Sequence, residues 1–86
     1  MEQINNSGRE KLVSKAFKFH SEGNFLTAEK YYQLFVDKGF SDPRVFSNYA
    51  VILTQRGEIN TAINLYKKSI ELFPNSPQAY SNLGKI

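Results

Sequence analysis

The chain is expected to be all-α, a stack of antiparallel helix pairs with about five helices in all. Three observations predict it: a sequence period of 34 residues, apolar residues at helical spacing inside each period, and glycine or proline at the ends of those stretches. Two segments, EGNFLTAEKYYQLF and RGEINTAINLYKKS, align when one is shifted by 34. The shift pairs Gly23 with Gly57, Phe25 with Ile59, Thr27-Ala28 with Thr61-Ala62, and Tyr32 with Tyr66. It also carries Asp42-Pro43 onto Ser76-Pro77, and VFSNYA (45–50) onto AYSNLG (79–84). Self-similarity at one fixed spacing in separate segments is the mark of stacked supersecondary units.

Each unit reads as two helices. The first helix of a unit opens on a cap followed by proline, at Asp42-Pro43 and again at Ser76-Pro77. Phe46, Tyr49, Ala50 and Leu53 then follow at helical spacing, and Gly57 supplies the left-handed residue that a tight helix–helix turn needs. Ile59, Ala62, Ile63, Tyr66 and Ile70 mark the next helix, with Pro74 just past its end. In the first unit Asn24 is the expected cap of the second helix and Gly39 its stop; Glu58 replaces that Asn in the second unit and suits the positive end of the helix dipole. Ala16, Ala28, Ala50 and Ala62 are expected where paired helices approach closely. Phe25, Tyr32 and Phe46 are expected as core beside them.

A 34-residue helix–turn–helix unit with aromatic, small, Tyr, Ala and Pro residues at set places resembles the tetratricopeptide repeat. Phe46, Ala50, Gly57, Ala62, Tyr66 and Pro74 carry the resemblance in the second unit, AYSNLG carries it in the third, and it covers roughly residues 9–86. The first unit departs from the pattern, with Lys15 in place of Leu and Phe40 in place of the proline. The resemblance implies a right-handed superhelical stack. Its expected organisation is a disordered N-terminal segment over residues 1–8, repeats over 9–42 and 43–76, and the first helix of a third repeat over 77–86 acting as a C-terminal lid.

The ends of such an array differ. Val45, Tyr49 and Ile52 form one helix stripe, as do Ala79, Leu83 and Ile86, whereas the matching positions of the first helix are Lys11, Lys15 and Lys18. A first unit has no predecessor to cover that face, so lysines there serve as the polar cap of the array. Arg9, Lys11, Lys15 and Lys18 could instead form a basic stripe for nucleic acid. Capping needs no ligand, explains which positions are lysine and ranks ahead, with Glu10 and Glu22 diluting the charge. At the other end Tyr80 and Gly84 await a helix that does not follow. This suggests a fragment of a longer protein and a homodimer through Tyr80, Leu83 and Ile86.

Composition narrows the function classes. The 86 residues carry a net charge of +3 and no cysteine, which excludes disulfides and thiolate metal sites. No apolar run approaches the roughly 18 residues of a membrane span, and the start MEQINNSG has no apolar signal core, so the expected location is the cytoplasm. His20 is the one histidine, the eight carboxylates are scattered, and no glycine-rich phosphate motif is present. No catalytic residue, cofactor or metal is expected.

The resemblance implies that first helices line a concave groove holding a peptide or protein segment. Position by position the groove candidates are Val13, Phe17 and His20, then Arg44, Asn48, Val51 and Gln55, then Gln78 and Asn82. Asn48 and Asn82 lie 34 apart, and a carboxamide can both donate to and accept from a peptide backbone. One subgroup of the family clamps acidic C-terminal peptides with Lys, Asn, Asn, Lys and Arg. The matching residues here are Val13, Phe17, Asn48, Gln78 and Asn82, of which only Asn48 agrees. The function expected is a protein-interaction scaffold. The alternatives are the N-terminal repeat region of a longer transferase-type enzyme and, third, nucleic-acid binding by the basic stripe.

Overall fold

A computed structural model describes residues 2–75, with side chains described from residue 8 onward. Four helices occur among the described residues: α1 (Glu2–Ser21), α2 (Phe25–Asp37), α3 (Pro43–Gln55) and α4 (Ile59–Leu72). The fifth helix, expected over 77–86, lies outside them. The chain divides into two units, 1–40 and 41–86; α1 pairs with α2 in the first and α3 with α4 in the second.

The first unit turns on Gly23, whose φ of 80° lies in the region that side chains with a Cβ rarely adopt. There the Asn24 N–H donates to the Phe19 carbonyl at 2.9 Å and the Gly23 N–H to the His20 carbonyl at 3.0 Å. These two bonds are the Schellman closure of a helix C-terminus. They also explain why Asn24 does not cap α2 as expected. It sits at φ −87°, ψ 73°, outside the extended region from which a capping side chain reaches forward, and its side chain makes no cap hydrogen bond. The α2 end repeats the closure: Phe40 N–H to Phe35 carbonyl, Gly39 N–H to Val36 carbonyl, with Gly39 at φ 82°. The apolar contact that accompanies this motif is present, the Phe35 and Phe40 rings lying 5.4 Å apart. Phe40, standing where the second unit has Pro74, ends the unit by packing instead of by blocking the backbone.

At its N-terminus α1 reaches back to Glu2, longer than the expectation, which left residues 1–8 disordered. No proline stands in that stretch, and its glycine, Gly8, costs a helix only about 1 kcal/mol relative to Ala.

In the second unit α3 starts as expected. Asp42 is extended at the cap, its Oδ1 accepts the Arg44 N–H at 2.8 Å, and Pro43 occupies the first turn. Gly57, at φ 85°, closes α3 with the same pair of bonds, Glu58 N–H to Leu53 carbonyl and Gly57 N–H to Thr54 carbonyl. Glu58 makes no side-chain cap for α4 and pairs with Arg56 instead.

Ala16 and Ala28 in the first unit, and Ala50 and Ala62 in the second, are all buried, which is what close helix pairing at small residues requires. Tyr32, Phe46 and Tyr66 are buried with them. Phe25 is a correction: it is 43% exposed, because as the first residue of α2 it lies at the rim of the turn, with the His20 ring edge-on at 5.4 Å. The stripe comparison holds in exposure, since Lys11, Lys15 and Lys18 are exposed while Val45, Tyr49 and Ile52 are buried.

Candidate functional site

The candidates fall on one stripe of α1 and one of α3. Val13, Phe17 and His20 recur at i, i+4 and i+7 along α1; Arg44, Asn48, Val51 and Gln55 recur at i, i+4, i+7 and i+11 along α3. Gln78 and Asn82, with the dimer residues Tyr80, Leu83 and Ile86, lie outside the described residues.

On α1 the three differ. Val13 is 5% exposed and belongs with the core. Phe17 is half-buried, its ring tilted against Tyr32 at 6.3 Å. His20 is half-buried too, and its Nδ1 lies 2.8 Å from the hydroxyl of the fully buried Tyr32. The rings of Phe25 and Tyr32 meet the imidazole near right angles, at 5.4 and 5.8 Å. His20 is therefore fastened into an aromatic cluster at the turn of the first unit. Helical spacing places Tyr32 in the core but carries no sign of this bond, because no spacing rule spans the turn between the two helices.

Desolvation in that cluster lowers the pKa of His20 from its ordinary value of 6.5. A histidine depressed in the fold is more readily protonated in the unfolded chain. Its contribution is fully present above pH 6.5 and is lost as the pH falls through that value towards the folded pKa. The urea midpoint is expected to drop between about pH 7 and pH 5, and His20→Gln, which keeps a hydrogen-bonding group and removes the titration, is expected to flatten that drop. An unchanged pH profile in His20→Gln would contradict this.

On α3 the outward stripe is open. Arg44 and Gln55 are exposed and Asn48 and Val51 half-buried, while Val45, Phe46, Tyr49, Ala50, Ile52 and Leu53 on the same helix are buried. The Arg44 guanidinium forks onto its own cap, with Nε 3.1 Å from Asp42 Oδ1 and Nη2 2.7 Å from Oδ2. Asp42 is buried and serves both the helix cap and this ion pair. A cap and the second residue of its helix are near enough to meet, so the pairing of Asp42 with Arg44 had a signal in the sequence. Thr54 Oγ1 donates to the Ala50 carbonyl at 2.8 Å, which occupies its hydroxyl within the helix.

Among the described residues no three His, Cys, Asp or Glu side chains are grouped so as to hold a metal, and no helix is long and apolar enough to cross a membrane.

Comparison with known proteins agrees with the repeat reading. A family model described as TPR repeat matches residues 51–86. The uncharacterized protein YgeG of Escherichia coli (strain K12) is 28% identical over 65 residues, which cover 76% of this chain and 40% of that protein. The chain thus spans less than half the length of this curated relative. No solved structure matches significantly. The helix pairs, their glycine closures and the 34-residue period agree with the likeness of residues 51–86 to TPR repeats.

Proposed function

We propose that the chain is a protein-interaction module that holds a peptide or protein segment in a concave groove lined by the first helices of its repeats, the repeats stacking as a right-handed superhelix. Tetratricopeptide repeats generally mediate protein–protein interaction, and the finer assignment here rests on α3. That helix buries one face and leaves Arg44, Asn48, Val51 and Gln55 outward as a continuous polar stripe with a small apolar patch. These side chains suit recognition and carry no arrangement for bond-making chemistry, so the module acts by binding.

The test is site-specific photo-crosslinking. A photoreactive side chain at Val51 is expected to capture a protein partner from the cell of origin. The same group at Lys67, exposed on α4, is expected to capture none. Equal capture from both positions, or capture only from Lys67, would overturn the groove assignment.

A further inference from the structure

The side of α1 turned away from the groove candidates carries three exposed lysines, Lys11, Lys15 and Lys18, at i, i+4 and i+7. At about 100° per residue, this stripe lies roughly 160° around the helix from Val13, Phe17 and His20. A polar cap accounts for polar residues at these positions but not for three cations. Like charges three and four residues apart on a helix repel, whereas alternating Lys and Glu would meet water equally well and attract. Glu22, one turn past Lys18, ends the stripe. Glu10 lies about 100° around α1 from Lys11, and Arg9 pairs with it at 2.6 Å.

Beside the lysines the surface is apolar. Leu12 and Phe19 flank them on α1, and Tyr31 of α2 stacks on Phe19 with the two rings nearly parallel and 5.7 Å apart. Lys15 Nζ lies 5.8 Å from the centre of the same Tyr31 ring, so the cationic row and the apolar row form one surface. Leu12, Phe19 and Tyr31 are all half-buried. Their register partners 34 positions later, Phe46, Leu53 and Leu65, are buried. So are Val45, Tyr49 and Ile52, the partners of the lysines. The first unit therefore leaves partly open, and makes cationic, a surface whose counterpart in the second unit is closed.

Charge and shape select the occupant. A second copy does not suit, because no helix of this chain carries three acids at i, i+4 and i+7, and like faces would set lysine against lysine. A phosphate backbone or an anionic membrane would find the cations confined to about 10.5 Å of one helix, at 1.5 Å per residue, with Glu10 and Glu22 at the margins. The Tyr31 ring, already engaged by Phe19 and Lys15, is a poor platform for a base. A helix lying along α1 fits both rows, since acids on it recur at the same rise as the lysines and an adjoining apolar row meets Leu12 and Phe19. From this single-signed stripe and its apolar border, we infer that the face of α1 bearing Lys11, Lys15 and Lys18 docks an amphipathic helix of a partner protein with acidic residues at i, i+4 and i+7. This surface is separate from the α3 stripe, so it stands or falls independently of the groove.

The experiment is fluorescence anisotropy with a labelled synthetic peptide, side-chain cross-linked to hold it helical, bearing Glu at i, i+4 and i+7 and Leu along the adjoining row. It is expected to bind the full chain and to weaken at least several-fold between about 0.05 and 0.5 M salt. Lys11→Gln with Lys15→Gln and Lys18→Gln is expected to weaken it roughly tenfold with unchanged helicity, since exposed ion pairs each contribute little. Lys30→Gln with Lys38→Gln and Lys67→Gln removes the same charge from exposed positions elsewhere, and is expected to change binding less than about twofold because salt screens distant charges. Oligothymidylate and phosphatidylserine vesicles are expected to bind more weakly than the peptide. Absence of peptide binding, equal losses in the two triple variants, or equal binding of a peptide with Gln in place of Glu would overturn the inference. Tighter binding of the oligonucleotide or of the vesicles would overturn it too.

Discussion

Phe46→Ala is expected to cost about 3–5 kcal/mol, the range for truncating a fully buried aromatic. Phe46 has no exposed surface, and Lys68 from α4 lies over its ring at 5.7 Å, so the side chain ties the two helices of the second unit together. Truncation leaves a void, and a unit of two helices has few other side chains with which to fill it. A chain of 86 residues buries a modest share of its surface, and domain stabilities run from about 5 to 15 kcal/mol. The loss is thus a large part of what holds α3 against α4. Thermal denaturation followed by far-ultraviolet circular dichroism reads it directly, with Leu26→Ala as control because Leu26 is 69% exposed and its truncation should stay within about 0.5 kcal/mol. A Phe46→Ala midpoint as high as that of Leu26→Ala would show that the second unit is not held together at this ring.

Much of the fold was legible because its signals are local. Gly23, Gly39 and Gly57 each stand where the backbone turns left-handed, and no other residue type adopts that geometry cheaply. Buried Ala16, Ala28, Ala50 and Ala62 followed from the same period, since a repeated close approach demands a repeated small residue. Asp42-Pro43 announced a helix start in residue types alone. Asn24 misled because cap preference is a statement about a side chain, whereas this position was already committed through its backbone to closing α1. Phe25 misled for a related reason. Periodicity says which face a residue is on but not how near it is to the end of a helix, where the neighbouring turn leaves a ring half in water. Of the candidate site, the α3 stripe came from the resemblance to the tetratricopeptide repeat, and spacing adds only that its residues share one helix face. The fork between Arg44 and Asp42 depends on side-chain geometry that spacing does not encode, yet it decides the charge of the stripe.

Replacing Ser47 and Ser69 together by alanine is expected to stabilise the protein by about 2 kcal/mol, since a buried hydroxyl without a hydrogen bond costs on the order of 1 kcal/mol or more. Both hydroxyls are buried, and among the described residues neither has a hydrogen-bond partner. The repeat register sharpens the case. The residues 34 positions earlier are Val13 and Phe35, both buried and both apolar, so the second unit carries a hydroxyl twice where the first carries hydrocarbon. With additive effects the double variant should melt roughly 8–16 °C higher, and the two single variants measure whether the effects add across the packed α3–α4 pair. A double variant that melts lower would mean that the hydroxyls are bonded in solution. Stability is not the only consequence, because Ser47 is adjacent to Asn48 on α3. Proteins keep destabilising groups where function needs them, and separating the two single variants distinguishes the roles. Ser69→Ala should raise the melting midpoint and leave peptide binding unchanged, since Ser69 is on α4. If Ser47→Ala raises the midpoint and weakens binding, the buried hydroxyl helps hold the α3 stripe in its binding arrangement; if binding is unchanged, it is a packing defect of the second unit.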